Sequence, residues 1–223
     1  MISVAIDGPA GAGKSTIAKT VSKELGFIYV DTGALYRAIG LKFMNVGFDE
    51  ELNCDIAKVL EETKVDIKFI NGEQRVFLNG EDVSDLIRTP KASLMASAVS
   101  AKPQVREFLL DMQRRLAREN DVIMDGRDIG TVVLPDATVK IFLTASAKER
   151  ANRRYKELIE KGMEVNYEDV LSDIEKRDYN DSHRAIAPLK PAEDSVLADT
   201  SDCTLEQSVE LILSIIKERL DNK

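Results

Sequence analysis

Short apolar runs alternate along this chain with longer stretches in which apolar residues recur every three or four positions. "SVAI", "FIYV", "DVIM", "VKIFLTA" and "SVLAD" are apolar on both faces and read as strands buried between layers, the pattern of a parallel sheet. "KSTIAKTVSKEL", closed by Gly26, and "GALYRAIGLKFMNVG" read as helices between the first strands. Further helices are expected near 90–99 and near 103–118, the second opened by Pro103 at a tolerated first-turn position. Ser146 and Glu149 predict a capping box for a helix to about Lys161, with Gly162 ending it. Another helix is expected from about Tyr167 to Asp181. Thr204 and Gln207 predict a second capping box for a last helix, in which Leu205, Val209, Ile212, Ile216 and Leu220 share a face.

One segment breaks the rhythm. "VDIKFI" and "QRVFL" alternate polar and apolar residues around Asn71-Gly72, which predicts an antiparallel hairpin. The expected architecture is therefore α/β: one domain over 1–223, with a five-stranded parallel sheet flanked by helices. Two excursions leave it, near 33–106 with the hairpin and near 150–182 with helices.

Composition narrows the class. Hydrophobic residues make up 43% of the chain and the formal net charge is -8, so the protein is globular and acidic overall. That balance argues against nucleic-acid or membrane-surface partners, which need a broad positive field. No run approaches the ~20 apolar residues of a membrane span. Cys54 and Cys203 match no metal-ligand spacing and are expected to be reduced thiols. The opening "MISVAIDG" lacks a basic n-region and a long apolar core, so a cytoplasmic location without signal peptide is expected.

Between the first strand and the first helix lies "GPAGAGKST", residues 8–16. Gly8, Gly13, Lys14 and Ser15 fit G-x-x-x-x-G-K-S/T in its required strand–loop–helix context. Glycines let backbone N–H groups turn toward phosphates where side chains would clash, and the helix N-terminus adds unpaired donors. Gly8, Pro9, Ala10, Gly11, Ala12, Gly13, Lys14, Ser15 and Thr16 are thus the expected loop for the phosphates of a nucleoside triphosphate. Lys14 should reach the β- and γ-phosphates, and Ser15 should ligate Mg²⁺. Asp125, at the tip of "DVIM", is the expected second Mg²⁺ contact. The sheet is accordingly of P-loop NTPase type.

Where the phosphoryl group goes is a separate question. No N-K-x-D stretch reads guanine, so a switch GTPase is not indicated. A hydroxyl acceptor needs a base. A phosphate acceptor is already an anion and needs its charge offset, a task for the planar fork of arginine. Arg37 and Arg127 follow strand ends, Arg150, Arg153 and Arg154 lie in the helix after "IFLTA", and Arg177 and Arg184 flank Asp181. If that helix continues, Arg177, Asp181 and Arg184 share one face. These residues favour a cationic cleft on an acidic body. Two other readings stay open: a P-loop kinase of a small hydroxyl metabolite such as shikimate, with Asp125 or Asp128 as base, and a nucleotide-responsive binding module without catalytic purpose.

"IDGPAGAGKST", "DTGALYRA", "DGRDIGTVV", "VKIFLTAS" and "RDYNDSHRAIAPL" together resemble the bacterial cytidylate kinases, over essentially the whole chain. The resemblance implies a nucleoside monophosphate kinase, monomeric, passing the γ-phosphoryl group of ATP to CMP or dCMP with Mg²⁺. It makes 33–106 the acceptor-binding insertion and 150–182 the lid. It implies that Arg37, Arg127, Arg177 and Arg184 hold the acceptor phosphate or the group in flight. Ser97, Arg106 and Asp128 would read cytosine, Asp181 the sugar, and Arg153 and Arg154 would lie near ATP. Thr32 keeps the hydroxyl of a serine found in some relatives, whereas Ala10 stands where some carry a serine. The base-reading set makes chemical sense: an ionised Asp accepts from the cytosine amino group, and Arg and Ser donate to N3 and O2. Uracil would place an oxygen against that carboxylate.

Overall fold

The computed structural model describes residues 1–49, 51–160 and 162–221. In chain order its elements are β1 (Ser3–Asp7), α1 (Lys14–Leu25), β2 (Ile28–Asp31), α2 (Thr32–Asn45), α3 (Ile56–Glu61), β3 (Val65–Ile70), β4 (Glu73–Leu78) and β5 (Glu81–Asp82). They continue with α4 (Pro90–Ser100), α5 (Pro103–Glu119), β6 (Val122–Gly126), a π-helical turn (Ile129–Val133), β7 (Val139–Thr144), α6 (Ala147–Glu160), α7 (Tyr167–His183), β8 (Val196–Asp199) and α8 (Leu205–Asp221).

The five runs pair in the order β2-β6-β1-β7-β8, all parallel. The edge strand β8 departs from the expected two-sided burial: only Ala198 is buried, and Leu197 is 65% exposed, because a strand at the sheet's edge is covered less than the central ones. The chain leaves β1 toward β2 and later returns to β1's other side as β7. The phosphate loop therefore starts where strand order reverses, at the carboxyl ends, the place where open α/β sheets bind ligands. Alternate β1 residues face opposite layers, as two-sided burial requires. Val4 and Ile6 pack with Ile17 and Val21 of α1 and Ile212 and Ile216 of α8, while Ala5 packs with Val30, Met124 and Val133 on the other side.

A second core gathers Leu35, Ile39 and Phe43 of α2, Val76 of β4, Met95 of α4 and Leu109 of α5. Its sheet is antiparallel, β3-β4-β5, turning at Asn71 (φ 54°) and Gly72 (φ 78°) as the hairpin signal required. α6 and α7 pack as a pair on Ala151, Leu158, Val170 and Ile174.

Several local expectations need correction. The Thr204–Gln207 capping box is complete, with each backbone N–H bonded to the other residue's side chain at 2.9 and 3.2 Å. Only half of the Ser146 box forms: Ser146 Oγ accepts from the Glu149 N–H at 3.2 Å, but the Glu149 carboxylate turns to Arg153 instead. Leu205 is 48% exposed, because it opens α8 before the buried face begins. The helix expected to reach about Lys161 is described to Glu160; Lys161 lies outside the described residues. Gly162 (φ 74°) closes it as expected. α3, the two-residue β5 and the π-helical turn carry no periodicity long enough to predict them.

Gly40 sets how closely α2 approaches α4. A Cβ there would stand 2.8 Å from the Met95 Cβ, closer than carbon atoms can pack. Gly40→Ala is expected to cost about 1–3 kcal/mol by overpacking, seen as a drop in thermal midpoint.

Candidate active site

The phosphate loop is shaped by what surrounds it. Gly8 has φ 150°, and a Cβ there would lie 1.9 Å from the Leu143 carbonyl oxygen, so only glycine fits. Gly11 (φ 75°) faces Arg150, and Gly13 (φ 83°) caps α1 without a side chain. No side chain caps the first turn of α1 and no acidic residue stands in it, which leaves its N–H donors for an anion. Ala12 is fully buried. Arg150 braces the loop from α6: it donates to the carbonyls of Ala145 (2.8 Å) and Ala10 (2.9 Å) and pairs with Asp178 of α7 (2.5 Å). Lys14 Nζ donates to the Pro9 carbonyl at 2.7 Å. Burial, then the charge of Arg127, lowers its pKa to about 7 against the pull of Asp125 and Asp7.

Asp125 ends β6 between Ile6 of β1 and Asp31 of β2. Its carboxylate accepts from Ser15 Oγ (3.0 Å) and Tyr29 Oη (2.8 Å), and its carbonyl accepts from Thr32 Oγ1 (2.7 Å). Burial, then the charge of Asp31, raises it to about 6. A hydroxyl and a carboxylate side by side beside a phosphate loop are the hard oxygen donors that Mg²⁺ takes along with substrate phosphates. Ser15 and Asp125 thus suit that ion.

Asp7 is a site residue that the motif reading passed over. Its carboxylate accepts from the N–H groups of Ile129 and Gly130, both at 2.7 Å, and so fixes the "DGRDIG" turn that carries Arg127 and Asp128. Burial outweighs these two bonds and raises its pKa from 3.8 to about 6. Between about pH 4 and pH 6 native Asp7 keeps a proton that the unfolded chain releases. The stability this proton contributes is present below that window and fades as pH rises through it. In urea melts, the unfolding free energy of wild type minus that of Asp7→Asn is expected to fall by about 1 kcal/mol per pH unit there. A difference independent of pH would contradict a proton held on Asp7.

Arg37, Arg127 and Arg154 lie near Arg177, and the reading of Arg184 needs one correction. α7 ends at His183, so Arg184 is extended (φ -63°, ψ 142°) and does not extend the helical face of Arg177 and Asp181. It turns toward Asp128, Nη2 to Oδ1 at 3.6 Å, and donates to the Ala187 carbonyl at 2.6 Å. Asp181 pairs with Arg127 at 2.8 Å. Burial favours its neutral form, but Arg127, Arg177 and Arg184 hold its pKa below the usual carboxylate range. Arg37 pairs with Asp31 at 2.8 Å. Burial, then the charge of Arg127, lowers Arg177 to about 10, and Arg37 and Arg154 press it the same way. Among the described residues Arg37 Nε, Arg177 Nε and Arg184 Nη2 are buried without a hydrogen-bond partner. Unsatisfied buried donors on crowded cations form a receptor for an anion.

Arg106 and Asp128, both buried, form an ion pair, and Arg106 also donates to the Ser100 carbonyl at 3.1 Å. Burial raises the Asp128 pKa, opposed by Arg106 and Arg184. Beside the pair lies a cavity of about 200 Å³ lined by Tyr36, Pro103, Arg106, Gln113, Val132 and Ile186. Ser97 is half-buried on the same helix as Ser100, whose hydroxyl donates to the Ser97 carbonyl at 2.9 Å. Arg153 donates to the Thr200 carbonyl (2.7 Å) and pairs with Glu149, with its guanidinium beside Gly13. Arg154 pairs with Glu157 at 2.8 Å. Thr16 is exposed at the mouth of the loop. Tyr29 and Asp7 join the site through partners 96 and 122 residues away, and Ser100 through Arg106 and, at 3.5 Å, Arg184, so no local motif marks them.

Comparison with known proteins agrees with this geometry. A family model described as cytidylate kinase matches residues 4–218. A cytidylate kinase of Caldicellulosiruptor saccharolyticus is 51% identical over 222 residues, covering 100% of this chain and 98% of that protein. One from Caldanaerobacter subterraneus subsp. tengcongensis is 54% identical over 220 residues, 97% of this chain and 95% of that protein. Among solved structures, a gluconokinase from Sinorhizobium meliloti 1021 covers 99% of this chain and 94% of its own with TM-score 0.52 at 13% identity, a likeness of fold alone. With the match running from β1 into α8 and half of all residues shared over full length, the chain belongs to the cytidylate kinase family.

Proposed function

We propose that this protein transfers the γ-phosphoryl group of ATP to CMP or dCMP, giving CDP or dCDP and ADP, by in-line transfer between phosphates. One observation carries the mechanism. Among the described residues Arg37 Nε, Arg177 Nε and Arg184 Nη2 are buried without a hydrogen bond, in a site whose cations already repel one another beside the phosphate loop. Such a site is completed by phosphate. Lys14 and the α1 N-terminus take the donor phosphates, and Arg37, Arg127, Arg177 and Arg184 take the acceptor phosphate and the group in flight. Lys14, near pKa 7 without ligand, gains its full charge beside a polyphosphate. Ser15 and Asp125 would hold Mg²⁺, which when bound neutralises phosphate charge.

The phosphate oxygen of CMP attacks as the anion it already is, so no base is required. This favours a phosphate acceptor over a hydroxyl one. Asp125 is engaged by Ser15 and Tyr29, and Asp128 by Arg106. Asp128, Arg106 and Ser97 read cytosine, Asp181 takes the sugar, and Arg153 and Arg154 lie on the ATP side. Segment 33–106 is the acceptor-binding insertion and 150–182 the lid, and their closure expels water that would compete for the phosphoryl group. The protein works as a cytoplasmic monomer on small nucleotides, without nucleic acid. Among the described residues no helix is long and apolar enough to cross a membrane, and Cys54 and Cys203 are free thiols.

³¹P NMR of Mg-ATP mixed with CMP tests the reading. CDP and ADP resonances growing together at equal rates are expected. ADP appearing with inorganic phosphate and no CDP would overturn it.

A further inference from the structure

β2 is the edge strand of the parallel sheet, so the outward N–H and C=O of its residues lack a strand partner. At Asp31 a side chain from the inserted sheet takes that place. Gln74 of β4 accepts from the Asp31 N–H at 2.8 Å and donates from its amide nitrogen to the Asp31 carbonyl at 3.2 Å. A primary amide holds one donor and one acceptor in a single plane, the match for one extended residue's pair. The neighbouring residue, Glu73, meets Lys19 of α1 at 2.6 Å. That pair is exposed on both sides and contributes little. The Gln74 contact is the specific one.

Asp31 is where the acceptor side of the site is set. Its carboxylate caps α2 through the Ala34 N–H (2.9 Å) and holds Arg37 Nη2 (2.8 Å). The next residue, Thr32, bonds to the carbonyl of Asp125. A shift of the Asp31 backbone therefore moves Arg37 against Asp125.

We propose that Gln74 is a positioning residue for the acceptor nucleotide: by clamping Asp31 it ties the inserted antiparallel sheet to the residue that aims Arg37. This rests on the reading of Arg37 as an acceptor-phosphate ligand given above. The clamp gives the inserted sheet a direct hold on the residue that positions Arg37.

The test is calorimetric binding of CMP and of ATP, separately, to wild type, Gln74→Ala, Gln74→Glu and Arg37→Met, and to the Gln74→Ala/Arg37→Met double variant. Gln74→Glu keeps the size of the side chain but removes the donor, so it serves if the alanine variant folds poorly. The Kd for CMP is expected to rise about 3- to 10-fold in both Gln74 variants, with the Kd for ATP unchanged. In the Arg37→Met background the further loss from Gln74→Ala should vanish, which a general structural role would not produce. An unchanged CMP affinity, or a full-size loss in the Arg37→Met background, would overturn the clamp. A wild-type protein that binds ATP but not CMP would overturn the reading of the site itself, and the clamp with it.

Discussion

Lys14→Met is expected to lower kcat for CMP phosphorylation by about 10³-fold while the protein stays folded. The two halves of this expectation have different causes. Lys14 is buried and already pushed to a pKa of about 7, so the folded protein gains little from its charge when no nucleotide is bound. Among the described residues its hydrogen bond is to the Pro9 carbonyl. Methionine has a similar length and no charge to desolvate. Transfer, by contrast, shifts negative charge among the phosphates, and Lys14 lies in the loop proposed to hold the donor phosphates. Stopped assays for kcat and a thermal melt of the unliganded protein check both halves. A large fall in thermal midpoint would mean that Lys14 holds the loop together rather than serving the phosphates.

Asp128→Asn should do the reverse, harming both stability and selectivity. Asp128 is buried and neutralises Arg106, with Arg184 close by. Loss of its charge leaves two largely buried guanidinium groups against each other, a defect of about 3 kcal/mol. Selectivity falls because an asparagine amide can turn its nitrogen toward the oxygen of uracil, which a carboxylate repels. The ratio of kcat/KM for CMP over UMP is expected to drop by about 10²-fold. Asp181→Asn is the control: it also removes a buried carboxylate paired with an arginine, but at the residue proposed to take the sugar. It should lower activity and leave the base ratio unchanged. If the ratio survives Asp128→Asn, cytosine is read elsewhere.

The parts of this site that were legible in the sequence share one property: each is fixed by local chemistry. The glycines of the phosphate loop take positive φ within one contiguous motif, and the central apolar runs are short and two-sided because helices cover both faces. The hairpin announces itself at Asn71-Gly72, whose backbone must turn left-handed. What could not be read depends on partners distant in the chain. Asp7 organises the π-helical turn from 122 residues away, so nothing in "IGTVV" itself suggests that geometry. Gln74 fills an edge position on a strand 43 residues earlier, and its neighbours look like an ordinary exposed hairpin. Arg184 was misplaced because helical spacing says nothing of where α7 stops. Three residues later Ala187 takes φ 48° and accepts a bond from Arg184, which turns the chain back toward Asp128. The arginine pairings were likewise hidden, since sequence marks where cations gather but not which carboxylate each one finds.

The central claim is that the crowded cations beside the phosphate loop exist to receive the phosphate of a cytosine nucleotide. It is tested most directly by ADP release from Mg-ATP with CMP, dCMP, UMP, shikimate and no acceptor, measured side by side. Strong stimulation by CMP and dCMP, weak stimulation by UMP, and none by shikimate is the predicted result. Stimulation by shikimate alone, or equal ADP release with and without every acceptor, would contradict it.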